Sequence, residues 1–159
     1  MRCFSLLLAA CLLCGSARAE EPAGEAEAPD DLVRLTKDYD VWISPKRKIV
    51  VIDGEVCLRE GLLEMFACPK ATKEHESVVS LNTKAFVVHA ALLAVGAVPG
   101  TPVSFDPEYK PATGTAVKIL LLWTDKDGMR HKTPAQQWIR NLKTQKAMEH
   151  DWVFGGSGF

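Results

Sequence analysis

The sequence has no N-terminal apolar run long enough to cross a bilayer. The run from Phe4 to Leu13 covers about ten residues, whereas a transmembrane helix needs about 20. After residue 19 the sequence also has no tight cysteine or histidine pair at zinc spacing, and no helix follows the glycines of "GGSG" at 155–158 to form a phosphate loop. A net charge of −1 gives no bulk attraction to nucleic acid or to a membrane surface. The remaining composition, 47% hydrophobic and 25% charged, is that of an ordinary globular domain.

The first nineteen residues, "MRCFSLLLAACLLCGSARA", have the pattern of an export signal. Arg2 supplies a positive start, the apolar run follows, and "ARA" fits a small-x-small cleavage site after Ala19. We therefore predict a signal peptide over residues 1–19 and an exported, periplasmic or secreted protein. A buried N-terminal helix is the disfavoured alternative, because the acidic stretch 20–31 follows directly.

A lipid anchor is the second alternative. "LAAC", residues 8–11, is similar to the lipobox of bacterial lipoproteins, in which Cys11 would be acylated. The short positive region and the apolar residues beyond Cys11 weigh against it. In either case no transmembrane segment would remain after signal removal.

Residues 20–31, "EEPAGEAEAPDD", carry six acids and no base, so they form an acidic, disordered linker. Residues 32–159 are predicted to form one α+β domain, mainly antiparallel sheet. Its single amphipathic helix, at about 83–95, would be capped by Asn82 or Thr83 and ended by Gly96. Strands are predicted at "YDVWI", "IVVIDGEVCL", "LLEMFAC" and "SVVSLN", with a later hairpin formed by "AVKILLLWT" and "MRHKTPAQ" around "DKDG".

Two cysteines remain after signal removal, Cys57 and Cys68. If 49–58 and 62–68 form a hairpin around "REG", the two thiols are offset by about 16 Å along the strands. A disulfide needs Cα atoms within about 7 Å, so a Cys57–Cys68 bridge is disfavoured. The favoured interpretation is that both cysteines are small, buried apolar residues. A disulfide between them, and a role in metal binding or redox chemistry, are the alternatives.

The stretch "MFACPKATKEHES" groups candidate ligands without a recognised metal spacing. Its ordinary interpretation is a charged loop, with His75 and Glu76 solvated. His89 has Phe86, Leu92 and Leu93 as helical neighbours, which predicts a core histidine bonded to a backbone carbonyl. The alternative hypothesis is a metal site beneath the helix. In that site His75 and His89 would lie close together, with Cys68 and Glu76 as further ligands.

Two other charged patterns are assigned ordinary roles. "DKDG" at 125–128 lacks the further acids of a calcium loop and is a turn. A basic run between residues 126 and 146 is predicted to be a solvated face that at most attracts an anionic partner or the acidic linker. It comprises Lys126, Arg130, His131, Lys132, Arg140, Lys143 and Lys146.

The order of motifs from residue 40 onward resembles the YdjY domain, a family of uncharacterised, usually exported bacterial proteins. The motifs are "GEVCL", "LE-FAC", "KEHES", "VHAALLAVGA-PG", "W-D-DG", "WIR", "KAM" and "WVF-GS-F". The resemblance implies the domain and no reaction. Its motifs include Cys57, Cys68, His75, Glu76, Ser77 and His89. Family members continue past "GSGF" with further strands, so the resemblance also implies a C-terminally incomplete domain.

Two functions are therefore expected to compete. The favoured one is a non-catalytic extracytoplasmic binding or structural module with an unknown envelope or protein partner and no catalytic residue. The alternative is a metal-binding or thiol-redox protein that uses His75, His89 and Cys57 or Cys68. The sequence names no cofactor.

Overall fold

The computed structural model describes residues 31–156. The expected signal peptide, the Cys11 alternative, nearly all of the acidic linker and residues 157–159 lie outside the described residues. The described chain is mainly antiparallel sheet with one α-helix, which confirms the α+β class. In chain order its elements are β1 Val33–Arg34, β2 Val41–Ser44, β3 Ile49–Ile52, β4 Gly54–Val56, β5 Met65–Pro69, a 3₁₀ turn Glu74–Glu76, β6 Ser77–Leu81, α1 Ala85–Ala94, β7 Ala116–Val117, β8 Leu120–Thr124, β9 Arg130–Pro134, a 3₁₀ turn Ala135–Trp138 and β10 Trp152–Val153.

The main apolar core lies between α1 and the first sheet. β1, β2 and β3 are antiparallel with β2 in the centre. Val41 and Ile43 of β2 pack with Val87, Ala91 and Val95 of the helical segment. Burying each valine or isoleucine side chain contributes about 1.5–3 kcal/mol, so this layer holds the helix on the sheet. No helix within residues 31–156 is long and apolar enough to cross a membrane.

The helix forms where the sequence predicts it, but its start is built differently. Gly96 has a positive φ of 86°, the left-handed conformation that glycine adopts most readily after a helix. At the other end the expected cap by Asn82 or Thr83 is wrong. The residue before the helix is Lys84, with no side-chain cap, while Asn82 Nδ2 donates to Asp40 Oδ2 at 2.7 Å.

Thr83 gives a direct test of this start. The residue is buried, and its Oγ1 has no hydrogen-bond partner among the described residues. A buried hydroxyl without a partner loses its hydration and gains nothing in return. We expect Thr83→Val to raise the free energy of unfolding by about 1 kcal/mol, measured by urea denaturation. Thr83→Ser is the control that keeps the hydroxyl and should not stabilise. A loss of stability in the valine variant would restore the capping role.

The second sheet corrects the expected hairpin of 49–58 and 62–68. The predicted strand "IVVIDGEVCL" is divided at Asp53: β3 pairs with β2, whereas β4 pairs with β6. β6 is the central strand, antiparallel to β4 and parallel to β5. The connection between β4 and β5 therefore carries the chain from one side of β6 to the other instead of turning it back.

The later hairpin is confirmed for β8 and β9, but the predicted strand "AVKILLLWT" is divided, because its first residues form β7 and pair with β10. β8 and β9 pair antiparallel around the "DKDG" turn, with Leu120 opposite Pro134 and Thr124 opposite Arg130. The Asp125 side chain holds this turn: its Oδ1 accepts the backbone N–H groups of Asp127 and Met129, each at 2.9 Å.

Close backbone contacts join the C-terminal segment to the loop that follows the helix. β10 pairs with β7, and the Gly100 N–H donates to the Phe154 carbonyl at 2.9 Å. Gly114 lies against the same carbonyl with φ at 124°. A Cβ at Gly114 would meet the Phe154 oxygen at 2.1 Å, so this crossing requires glycine.

Candidate functional site

An open groove of about 1130 Å³ lies between two parts of the described chain. One wall is β4 and the connection that follows it, and the other is formed by Trp123 of β8 and the segment after β9. The lining residues are Glu55, Val56, Leu58, Arg59, Glu60, Gly61, Leu62, Leu63, Val78, Trp123, Trp138, Ile139, Arg140 and Leu142. Ligand pockets in proteins are mostly apolar with a few polar groups, and this groove has that composition.

The groove presents largely exposed leucine side chains to solvent. Leu62 is 80% exposed and Leu142 is 69% exposed. Isolated exposed leucines are common on protein surfaces, but several that line one concave surface mark an interaction site. These leucines share the groove with two tryptophans.

An aromatic stack fixes the tryptophan wall. The Trp123 ring stacks on His131 with centroids 5.0 Å apart and meets Trp138 at 5.4 Å. His131 Nε2 donates to Asp125 Oδ2 at 2.6 Å. This hydrogen bond, together with the two backbone N–H groups, lowers the pKa of Asp125. The anionic carboxylate thereby orients the imidazole, and the imidazole supports the indole.

The two candidate metal ligands of the 3₁₀ turn differ in exposure, since the His75 side chain faces solvent whereas that of Glu76 is 17% exposed. The His75 side chain is 76% exposed, and its Nε2 lies 3.7 Å from Glu76 Oε2. Glu76 instead pairs with Lys73, and this hydrogen bond lowers the pKa of Glu76. The Glu76 carboxylate is therefore occupied by an ion pair with the neighbouring Lys73.

His89 lies elsewhere and lines the same cavity as Cys68. These two residues line a second, smaller cavity of about 310 Å³ together with Thr83 and Phe154. The His89 ring meets Phe154 edge-on at 5.0 Å. His75 does not line this cavity, so of the candidate ligands only His89 and Cys68 share it. No group of three or more His, Cys, Asp or Glu side chains in residues 31–156 is placed to hold a metal ion.

The sequence analysis placed His89 on the core-facing side of the helix, together with Phe86 and Leu93. In the structure a different side of the helix faces the core. Val87 and Ala91 face the core, whereas Phe86 and Leu93 are exposed. Every position near His89 in the helix is apolar, so hydrophobic periodicity could not distinguish the two faces. His89 itself is half-buried.

The two cysteines are free; Cys57 directly follows β4 and Cys68 lies on β5, the two strands that flank β6. Cys68 is buried opposite Ser80. The Cys57 N–H bonds to the Val78 carbonyl, and its thiol donates to the Ser77 carbonyl at 3.0 Å. Burial first, and then proximity to Cys68, raises the pKa of the Cys57 thiol, which keeps it in the protonated, weakly nucleophilic form.

Sequence reasoning missed the groove. Leu62 belongs to the predicted strand "LLEMFAC" and Leu142 is an isolated apolar residue in a polar segment, and no local pattern connects positions 60 and 140. The pairing of Asp125 with His131 was within reach, because the predicted "DKDG" hairpin places these two residues near each other across the turn.

Comparison with known proteins gives one family. The YdjY domain profile matches residues 41–159. The chain belongs to the YdjY family. No curated protein and no solved structure matches it significantly. The matched part of this YdjY domain contains every residue that lines the groove.

Proposed function

We propose that this YdjY domain is a non-catalytic binding module that acts outside the cytoplasm, with the groove as its binding surface. The observation that carries the proposal is the combination of Leu62, Leu142, Trp123 and Trp138 in one open concavity. Burying aromatic and aliphatic anchors is the main source of affinity in protein interfaces. The export pattern of residues 1–19 supports the proposed location.

The placement of the polar groups favours binding over thiol or metal chemistry. The raised pKa of Cys57 opposes formation of its thiolate. The His75 side chain faces solvent and Glu76 is paired with Lys73, and His89 shares its cavity with Cys68 alone among the proposed ligands. The groove contains none of the four candidate metal ligands.

A photo-crosslinking residue in place of Leu62 tests the binding surface. The full chain is produced in its own cells, irradiated, and analysed by mass spectrometry for adducts. We expect an adduct of one defined composition from position 62, because a partner seated in the groove would cover this side chain.

Phe105 provides the matched control position. It is 75% exposed, close to the value for Leu62, but it does not line the groove. A crosslinker at position 105 should yield no adduct of that composition. Equal adducts from both positions, or none from position 62, would contradict the groove as a binding surface.

A further inference from the structure

The strand that borders the groove has an open edge. On the two sides of β4, the Cys57 N–H bonds to the Val78 carbonyl, and the Asp53 carbonyl accepts the Asn82 N–H. Backbone groups alternate in direction along an antiparallel strand. The backbone N–H and C=O groups of the odd-numbered residues in this segment therefore point toward β6, and those of Val56 point away from it. In the described chain β4 pairs with no other strand.

The strand that carries Trp123 has the same property. The Asp125 N–H bonds to the Met129 carbonyl, and the Ile119 carbonyl accepts the Ala135 N–H. By the same alternation, the backbone groups of Leu120, Leu122 and Thr124 point away from β9. β8 pairs with β9 alone among the described strands. Both strands that contribute to the groove thus have unfilled hydrogen-bonding capacity along one edge.

The charges at the groove distinguish between occupants. Glu55 pairs with Lys70 at 3.5 Å, whereas Arg59 and Arg140 form no ion pair within residues 31–156. Glu60 is likewise without an ion pair there. The groove therefore presents two available guanidinium groups against one available carboxylate, which favours an occupant that carries at least one acidic side chain.

We propose that the occupant of the groove is an extended segment of a partner polypeptide, with alternate apolar side chains and at least one carboxylate. It would add as a strand to the open edge of β4. Main-chain bonds to Val56 would supply the pairing, and the leucines and tryptophans would receive the apolar side chains. This inference rests on the proposed function, since it names the ligand class of the same groove.

The probe is a synthetic heptapeptide that alternates valine with threonine and carries one central glutamate. Binding is followed by NMR titration of the protein, with amide hydrogen exchange measured at Val56. We expect saturable binding below about 1 mM and slower exchange of the Val56 amide in the complex. N-methylation of the peptide on the residues that face β4 should weaken binding at least about tenfold. N-methylation on the alternate residues should leave it within about threefold.

Two variants examine the protein side. Val56→Pro removes the outward N–H, a change that an edge strand tolerates because that group is not in the ladder, and should weaken binding at least about tenfold. Val56→Thr, which keeps the N–H, is the matched control and should bind nearly as well as the wild type. Should the proline variant misfold, the methylated peptides still give the answer on the unaltered protein.

The other outcomes overturn the inference in distinguishable ways. Equal binding of both methylated peptides would show recognition by side chains alone. No binding at all would reject a peptide strand, while the crosslink at position 62 would still decide whether the groove binds a partner. Concentration-dependent dimers that Val56→Pro abolishes, measured by light scattering, would assign the edge to a second copy of this chain.

Discussion

Replacing Gly114 with alanine should lower the free energy of unfolding by about 3–4 kcal/mol. The added Cβ would lie 2.1 Å from the Phe154 carbonyl oxygen and 2.8 Å from the Gly100 nitrogen. Both are backbone atoms, so relief requires the C-terminal segment to move away and break the Gly100–Phe154 hydrogen bond. Urea denaturation measures the loss, and amide exchange at Gly100 should show the broken bond.

Gly128→Ala separates this contact from backbone strain. Gly128 also has a positive φ, 83°, but an added Cβ would meet nothing within 4 Å. This variant should lower the free energy of unfolding by only about 1–2 kcal/mol, the cost of placing alanine in the left-handed conformation. If both variants lose the same amount, the close crossing at Phe154 contributes nothing of its own.

Replacing Ala91 with leucine should cost about 2–3 kcal/mol. Ala91 has no exposed surface and packs in the cluster with Val41, Ile43 and Val87. Its methyl group allows the helix to approach β2 closely. Three additional carbon atoms would force the helix away from the sheet or the neighbouring side chains out of their rotamers. Chemical denaturation gives the change in unfolding free energy.

The adjacent residue supplies the control for this second variant. Ala90 is exposed on the same helix, and Ala90→Leu should change stability by no more than about 0.5 kcal/mol. Helix propensity is nearly the same for the two substitutions, so their difference reports packing. A neutral result at position 91 would contradict the packing of α1 against the first sheet.

The sequence predicted correctly the elements that are determined by residues close to one another in the chain. The helix was found because an apolar run precedes Gly96, and the β8–β9 hairpin because "DKDG" follows a continuous apolar strand. The α+β class followed from these elements. In contrast, the start of the helix was misassigned, because Asn82 has a capping side chain but uses it on Asp40, 42 positions away.

The wrong hairpin has a different cause. Two strands separated by a short turn usually pair, and this rule assigned β4 to β5. In the structure both strands pair with β6 instead of with each other. β6 lies later in the chain and has β4 on one edge and β5 on the other. Nothing between residues 57 and 64 indicates a parallel pairing. The groove, made from segments some 80 positions apart in the sequence, was out of reach for the same reason.

The central position of β6 also determines when its sheet can form. Neither β4 nor β5 has its partner until Ser77–Leu81 has left the ribosome or been renatured. Up to that moment, both are unpaired strands that other chains can capture. Once β6 is present, the antiparallel and the parallel pairing both form against the same segment, so the two outer strands of this sheet depend on one partner.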